Sequence, residues 1–344
     1  MPRLSGMRII PLLAVAACSG SDGDATIDAP TTSGDATTMI DARVYKDAGI
    51  DAPPMEVCSS AGWCQVPMSP SYTWAMSVAP NGQPWTVAYG VRTKTPTGWL
   101  HHDLSWPDLA SPFVFHTELY SVHAVSSTDV WVGGRQGYVG HFNGSTWQMH
   151  RPAAPDPEAI WGASANDVWV LYDSGLRYRW NGTTLASQPT SQVRYLGAHG
   201  TAANDVWGYG ETVINNLYYP AVDHFDGTAW TRTVLPGFGT VIAFWNSGPN
   251  DLYAVISLNG TTRMLHGDGT TWSAPIGPTG MQVLDVWGRA ANDVWVVGKQ
   301  GTIARFDGTS WTMSPSGTTM HLSEIGGTAS VMWAAGDGVA LRKP

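Results

Sequence analysis

One phrase recurs along this chain and limits what it can fold into. Asn-Asp-Val-Trp is followed by a few apolar residues, a glycine-containing turn, another apolar run and a hairpin phrase of the type Asp/Asn-Gly-Thr-x-Trp. The aromatic residue of the first element stands at Trp131, Trp169, Trp207, Tyr253, Trp295 and Trp333, and a divergent copy at Trp85 precedes them. Successive copies lie 38 to 46 residues apart. A unit of that length is a single supersecondary element that cannot bury its apolar face alone, so neighbouring copies must stack on one another.

Each copy reads as four short strands. In the third, the expected strands are 159–163, 168–172, 176–180 and one beginning near Thr184. Asn143-Gly144, Asn181-Gly182, Asp226-Gly227, Asp268-Gly269 and Asp307-Gly308 fall between the third and fourth strands, where Asn-Gly and Asp-Gly predict tight type I′ hairpins. Seven four-stranded units in a row predict an all-β, seven-bladed β-propeller over residues 57–344. The last unit runs out at Pro344 before a fourth strand, while Trp63-Cys64-Gln65-Val66 resembles the fourth-strand phrase Trp311-Thr312-Met313-Ser314. The N-terminal segment is therefore expected to complete the last blade and close the ring, removing two open sheet edges.

Residues 57–344 resemble the secreted bacterial β-propellers of the broad Kelch, WD-repeat and BNR-like group. The Asn-Asp-Val-Trp and Asp-Gly-Thr-x-Trp phrases carry the resemblance. The Gly-His and Trp-Asp pair of true WD repeats is missing, and in His224-Phe225-Asp226-Gly227-Thr228-Ala229-Trp230 the Asp and Gly are adjacent, unlike the sialidase Asp-box. The resemblance thus implies a fold and no catalytic residue.

The segment before the repeat has a different character. Arg3 and Arg8 precede a short apolar run, and Val15-Ala16-Ala17-Cys18 resembles a bacterial lipobox, which implies lipidation of Cys18 and removal of the residues before it. Ser19 follows Cys18, so the implied destination is the outer membrane or cell surface. Residues 1–18 are read as the signal peptide with its lipidated cysteine. Residues 19–56, rich in Asp and Ala, are read as a disordered tether, since they lack the apolar surface to offset chain entropy. Cys58 and Cys64 remain and are expected to pair in an exported chain.

The repeat also sorts residues by role. The Trp of Asn-Asp-Val-Trp recurs in nearly every unit and is expected to pack between blades. Asp129, Asp167, Asp205, Asp251 and Asp293 are expected to brace local turns, and His141, Arg179, His224, His266 and Arg305 to pair with them one per blade, too far apart to share an ion. Positions that break the pattern are the functional candidates. His123, Trp161, His199, Trp245 and Trp287, with Ile325 in the last unit, occupy a first-strand position expected to ring the central channel. The long connection 210–220 carries Tyr218 and Tyr219, and 90–98 reads as another long loop.

Enzymatic signatures are absent from the sequence: no Gly-x-Ser-x-Gly, no His-Glu-x-x-His and no phosphate-binding glycine loop. No metal site or cofactor is expected. A net charge of −9 argues against nucleic acid. The expected function is a monomeric binding module at the cell envelope, held to the membrane only by its lipid, presenting a propeller face to a carbohydrate or protein ligand. The alternatives are an enzyme acting on an extracellular polymer, which needs two acids or an acid and a His to converge, and a scaffold of an envelope complex, which needs an exposed apolar patch.

Overall fold

The computed structural model describes residues 57–68, 72–102, 104, 118–152, 155–273 and 276–344. Residues 1–56, read from the sequence as a signal peptide with lipidated Cys18 and a tether, lie outside the described residues.

Seven antiparallel sheets follow one another along the chain. Their first strands are Ala75–Val78, Leu119–Ser126, Pro157–Ser164, Arg194–Ala202, Thr240–Gly248, Val283–Ala290 and Leu322–Gly327. Each packs against the next, and the seventh packs against the first, so these strands surround a central axis as a closed ring of seven blades. Blade three continues through Asp167–Tyr172, Arg177–Trp180 and Leu185–Gln188. The second strands are buried without alternation, as in Val168–Tyr172 and Val294–Gly298. Val, Ile and Trp suit such a strand because each sheet is covered on both sides by neighbouring blades.

Two blades depart from four strands. Blade five has three, Thr240–Gly248, Asp251–Leu258 and Thr261–Gly267, and its outer edge is held by isolated bridges from Trp272 to Gly267 and Ile276 to Met264. Blade seven has five. Cys64–Val66 pairs with 340–342, and Val57–Cys58 pairs with Cys64 and Gln65 beyond it. The expected closure is therefore present, with one residue's difference: Trp63 precedes the strand. Its indole is fully buried, lies edge-on to Trp295 at 5.9 Å and donates from Nε1 to Ser314 Oγ at 3.2 Å. Cys58 and Cys64 stand directly opposite each other and form the expected disulfide.

The meander gives the disc two unlike faces. Turns between first and second strands and between third and fourth strands lie on one, and this face is regular. Asn143, Asn181, Asp226, Asp268 and Asp307 each accept, through Oδ1, the backbone N–H groups two and three residues ahead. These are four-residue loops capped by the Asx side chain rather than the expected type I′ turns, because only the glycine takes positive φ. The opposite face carries the second-to-third turns and the links between blades, and it varies. The 210–220 segment is a strand-continuing hairpin, Asp205–Ile214 and Leu217–Phe225, turned by Asn215-Asn216 with φ of 51° and 62°. The 90–98 segment is likewise no long loop: Val91–Thr95 and Gly98–His102 are paired strands.

Candidate functional site

Three sets of side chains surround the axis, and their geometry separates scaffold from site. The outermost is a repeated girdle. His141 donates to Asp129 at 2.9 Å, Arg179 to Asp167 at 2.6 Å, His224 to Asp205 at 2.9 Å, His266 to Asp251 at 2.7 Å and Arg305 to Asp293 at 2.6 Å. The pairing is the expected one, but the aspartates hold side chains rather than turn backbone: the indoles of Trp131, Trp207 and Trp295 donate to the same carboxylates. The His rings stack on the Trp faces, with centroids 4.0 Å apart at Trp131–His141 and Trp207–His224. Burial disfavours the charge on Asp205, yet donors from His224, Thr201 and Trp207 outweigh it and hold the carboxyl below its ordinary value.

The second set comprises the first-strand candidates His123, Trp161, His199, Trp245 and Trp287, and each reaches the next blade. His123 Nε2–H donates to the Gly162 carbonyl at 3.0 Å, and His199 Nδ1–H to Asn246 Oδ1 at 2.7 Å. Trp161 lies on Gly200 and Trp245 on Gly288, where a Cβ would fall 2.9 and 2.7 Å from the indoles. Trp287 covers Gly327 in the same way. The register places Ser77 opposite Trp85 and Gly326, rather than Ile325, opposite Trp333. Ser77 Oγ accepts the N–H of Ala124 at 3.0 Å, again across a blade boundary. Trp161 and Trp245 are buried; His123, His199 and Trp287 are partly so.

Burial has a titration consequence. Desolvation lowers His123 to about 4, with His199 nearby opposing a second charge and the Gly162 bond only partly compensating. The unfolded chain takes up a proton near pH 6.5 that the folded chain refuses, so this group removes stability as pH falls from 6.5 towards 4. Replacing His123 with Gln should therefore cost less at pH 4.5 than at pH 7, by about 2 kcal/mol. Urea denaturation of both proteins at the two pH values measures this; a pH-independent difference contradicts it. Comparing variant with parent cancels Asp285, whose carboxyl burial raises to about 7 and whose effect on stability runs in the opposite direction.

The third set was not expected. In six blades the first strand contains a bulge, at Tyr120, Glu158, Leu196, Ile242, Leu284 and Ser323. Trp74 holds the same place in blade one, donating its N–H to the Val87 carbonyl at 2.9 Å just before the strand. A bulge re-aims its side chain. These residues keep exposed surface, and in blades two to five they sit between buried neighbours. They form a seven-membered ring at the channel mouth on the variable face. Trp74 stacks on Tyr120 at 6.0 Å and meets Tyr89 at 4.7 Å, while Tyr120 donates to Glu118 at 2.9 Å. Blades four, five and six contribute the ring's aliphatic members: Leu196 is exposed, Leu284 partly so, and Ile242 also packs against the core shared by blades five and six.

No protein-family model and no curated protein matches the chain. Solved structures do match, and what they share with it is the propeller fold. The chain is similar to "YCF48 bound to D1 peptide" (TM-score 0.65, 15% identity, 82% of this chain and 96% of that one). It is similar to catalytically inactive virginiamycin B lyase from Staphylococcus aureus with quinupristin (TM-score 0.64, 12% identity, 81% and 98%). It is also similar to the WD40 β-propeller domain of Doa1 (TM-score 0.60, 10% identity, 81% and 95%). A protein bound to a peptide and a lyase thus share this scaffold, and the side chains of this chain must decide between such uses.

Besides Glu158, two first-strand acids lie on the inner edges of the blades. Asp285 accepts the N–H groups of Val286 and Ile325, both at 2.8 Å, and Glu324 accepts that of Met76 at 3.3 Å. Both tie a first strand to the next blade, satisfying backbone donors on inner sheet edges. Tyr218 and Tyr219 stand away from the axis on the blade-four hairpin, where Tyr219 meets Phe238 at 5.0 Å. The structure does not bring them together with the first-strand aromatics.

Proposed function

We propose that this protein is a binding module whose variable face takes a protein or peptide ligand at the channel mouth. The carrying observation is that the bulge position is aliphatic in three successive blades, at Leu196, Ile242 and Leu284. Sugar hydroxyls placed there would lose water without gaining partners, at about 1–3 kcal/mol each, whereas apolar side chains of a peptide are stabilised by the same burial. Trp74, Tyr89 and Tyr120 complete the mouth with rings of the kind that anchor protein interfaces. Selection of a displayed peptide library on the full-length protein should yield apolar-rich clones whose binding Leu284→Asp weakens at least about tenfold, roughly 1.4 kcal/mol. Glycan-array binding that survives Leu284→Asp but vanishes with Trp74→Ala would assign a carbohydrate instead.

The same reading places the module at the bacterial envelope, with Cys18 as lipid anchor and 19–56 as tether. Cys18→Ser should release the protein from the membrane fraction; unchanged sedimentation with membranes contradicts the anchor.

A further inference from the structure

The blade-four hairpin is a second feature of the variable face that the scaffold does not require. Its second strand pairs with the first strand only as far as Glu211, and its third strand pairs with the fourth only from Ala221. Residues 213–218 therefore form the exposed end of a two-stranded ribbon, whose base is held by buried Thr212 on the Gln192 carbonyl and by Leu235 N–H on the Pro220 carbonyl. The ribbon is apolar where a solvated strand should be polar: Val213, Ile214, Leu217 and Tyr218 are 40–49% exposed. The surface continues to Phe238, 46% exposed, whose ring meets Tyr219 at 5.0 Å. Monomeric proteins seldom leave so many large apolar side chains side by side without a use for them.

Charge indicates what covers this surface. Arg263 donates to the carbonyls of Pro236 and Phe238 at 2.9 and 3.1 Å, and Arg232 donates to Gln192 Oε1. Neither guanidinium holds a carboxylate among the described residues, unlike Arg177, Arg179, Arg194, Arg289 and Arg305. Two positive charges bound only to neutral acceptors stand beside the apolar ribbon in a chain of net charge −9. A lipid surface would also meet apolar side chains and arginines, but the apex of the ribbon is Asn215-Asn216, both exposed. Insertion would carry those two amides deepest, each without partners, which costs several kcal/mol.

We infer that the ribbon and its flanking arginines dock an acidic, apolar-rich segment of a partner protein, the acidic groups meeting Arg232 and Arg263 and the apolar ones covering Ile214, Leu217 and Phe238, which lie on the Tyr219 side of the ribbon. This rests on the reading that the variable face engages protein, and it adds a second contact on the second and third strands of blade four, outside the first strand that carries Leu196. Complementary charge would set partner choice and speed of encounter.

Photo-crosslinking in cells tests it, with benzoylphenylalanine placed singly at Leu217 and at Leu196 in the full-length chain. Mass spectrometry of the Leu217 adduct should identify a protein segment bearing Asp or Glu among apolar residues. Arg232→Glu combined with Arg263→Glu should cut that adduct at least about fivefold, and the Lys replacements should retain it. A Leu217 adduct with a second copy of this chain, with phospholipid or with a basic segment overturns the inference. Protein adducts at Leu196 with none at Leu217 overturn it alone, whereas no protein adduct at either position overturns the reading of the face as well.

Discussion

Replacing Asp223 with alanine should destabilise the fold by about 3–5 kcal/mol, the usual cost of leaving one half of a buried ion pair. Arg177, on the third strand of blade three, donates to Asp223 on the third strand of blade four. Both side chains are almost wholly buried. Tyr195 and Ser191 each donate to the same carboxylate oxygen at 2.5 Å, and Arg177 Nε reaches the Tyr195 hydroxyl at 2.6 Å. The guanidinium also lies 4.4 Å from the centre of the Trp230 ring. Removing Asp223 strands a guanidinium, a phenol and a hydroxyl between two blades. Removing the charges together should cost far less: Arg177→Met with Asp223→Leu should recover most of the loss, since apolar replacements of similar volume can be near neutral. Urea denaturation reads both. A loss below about 1 kcal/mol for Asp223→Ala would mean that the blades do not depend on this cluster.

Trp63→Ala should cost a similar amount, about 3–5 kcal/mol, and should act through ring closure. The indole is buried against Trp295 and tied to Ser314, both in blade six, while the next three residues form the fourth strand of blade seven. One side chain thus joins the closing strand to the neighbouring blade. The Cys58–Cys64 bridge spans a short loop, so its loss should cost less, about 2 kcal/mol on chain-entropy grounds. Limited proteolysis distinguishes closure from general loss of stability: the variant should be cut first near residues 57–66. Initial cleavage elsewhere, with that segment still protected, contradicts a closing role for Trp63.

How far the sequence carried the structure depends on whether a signal was repeated. The blade number, the closing strand and the five Asp–His/Arg pairs were legible because the same residue types return at the same offsets; the disulfide was legible because only Cys58 and Cys64 remained to pair. The channel mouth was not. Strict alternation puts the residue three before Trp161 on the opposite side from it, and a bulge cancels that rule at Glu158 and its equivalents. One signal could have found the ring: aligned by blade, its members read Trp, Tyr, Glu, Leu, Ile, Leu and Ser, a column that varies while the residue before it is Leu, Pro, Tyr, Val, Val and Leu in blades two to seven. The Arg177–Asp223 pair was hidden for another reason. Its partners are 46 residues apart and belong to adjacent copies, so comparing copies sees two exceptions and not their contact. The blade-four ribbon looked like a loop because its length exceeded the repeat, although Val213-Ile214-Asn215-Asn216-Leu217-Tyr218 reads as two apolar strand ends about an Asn-Asn turn.

The role of the channel mouth is tested most directly by the affinity of a selected peptide for two variants of the full-length protein. One carries Leu196→Asp and Leu284→Asp at the mouth; the other carries Thr183→Asp and Ser310→Asp on the regular face. The mouth variant should lose at least a hundredfold in affinity, about 2.7 kcal/mol, while the regular-face variant stays within a factor of two. Undiminished binding by the mouth variant, or a loss confined to the regular-face variant, would contradict the assignment.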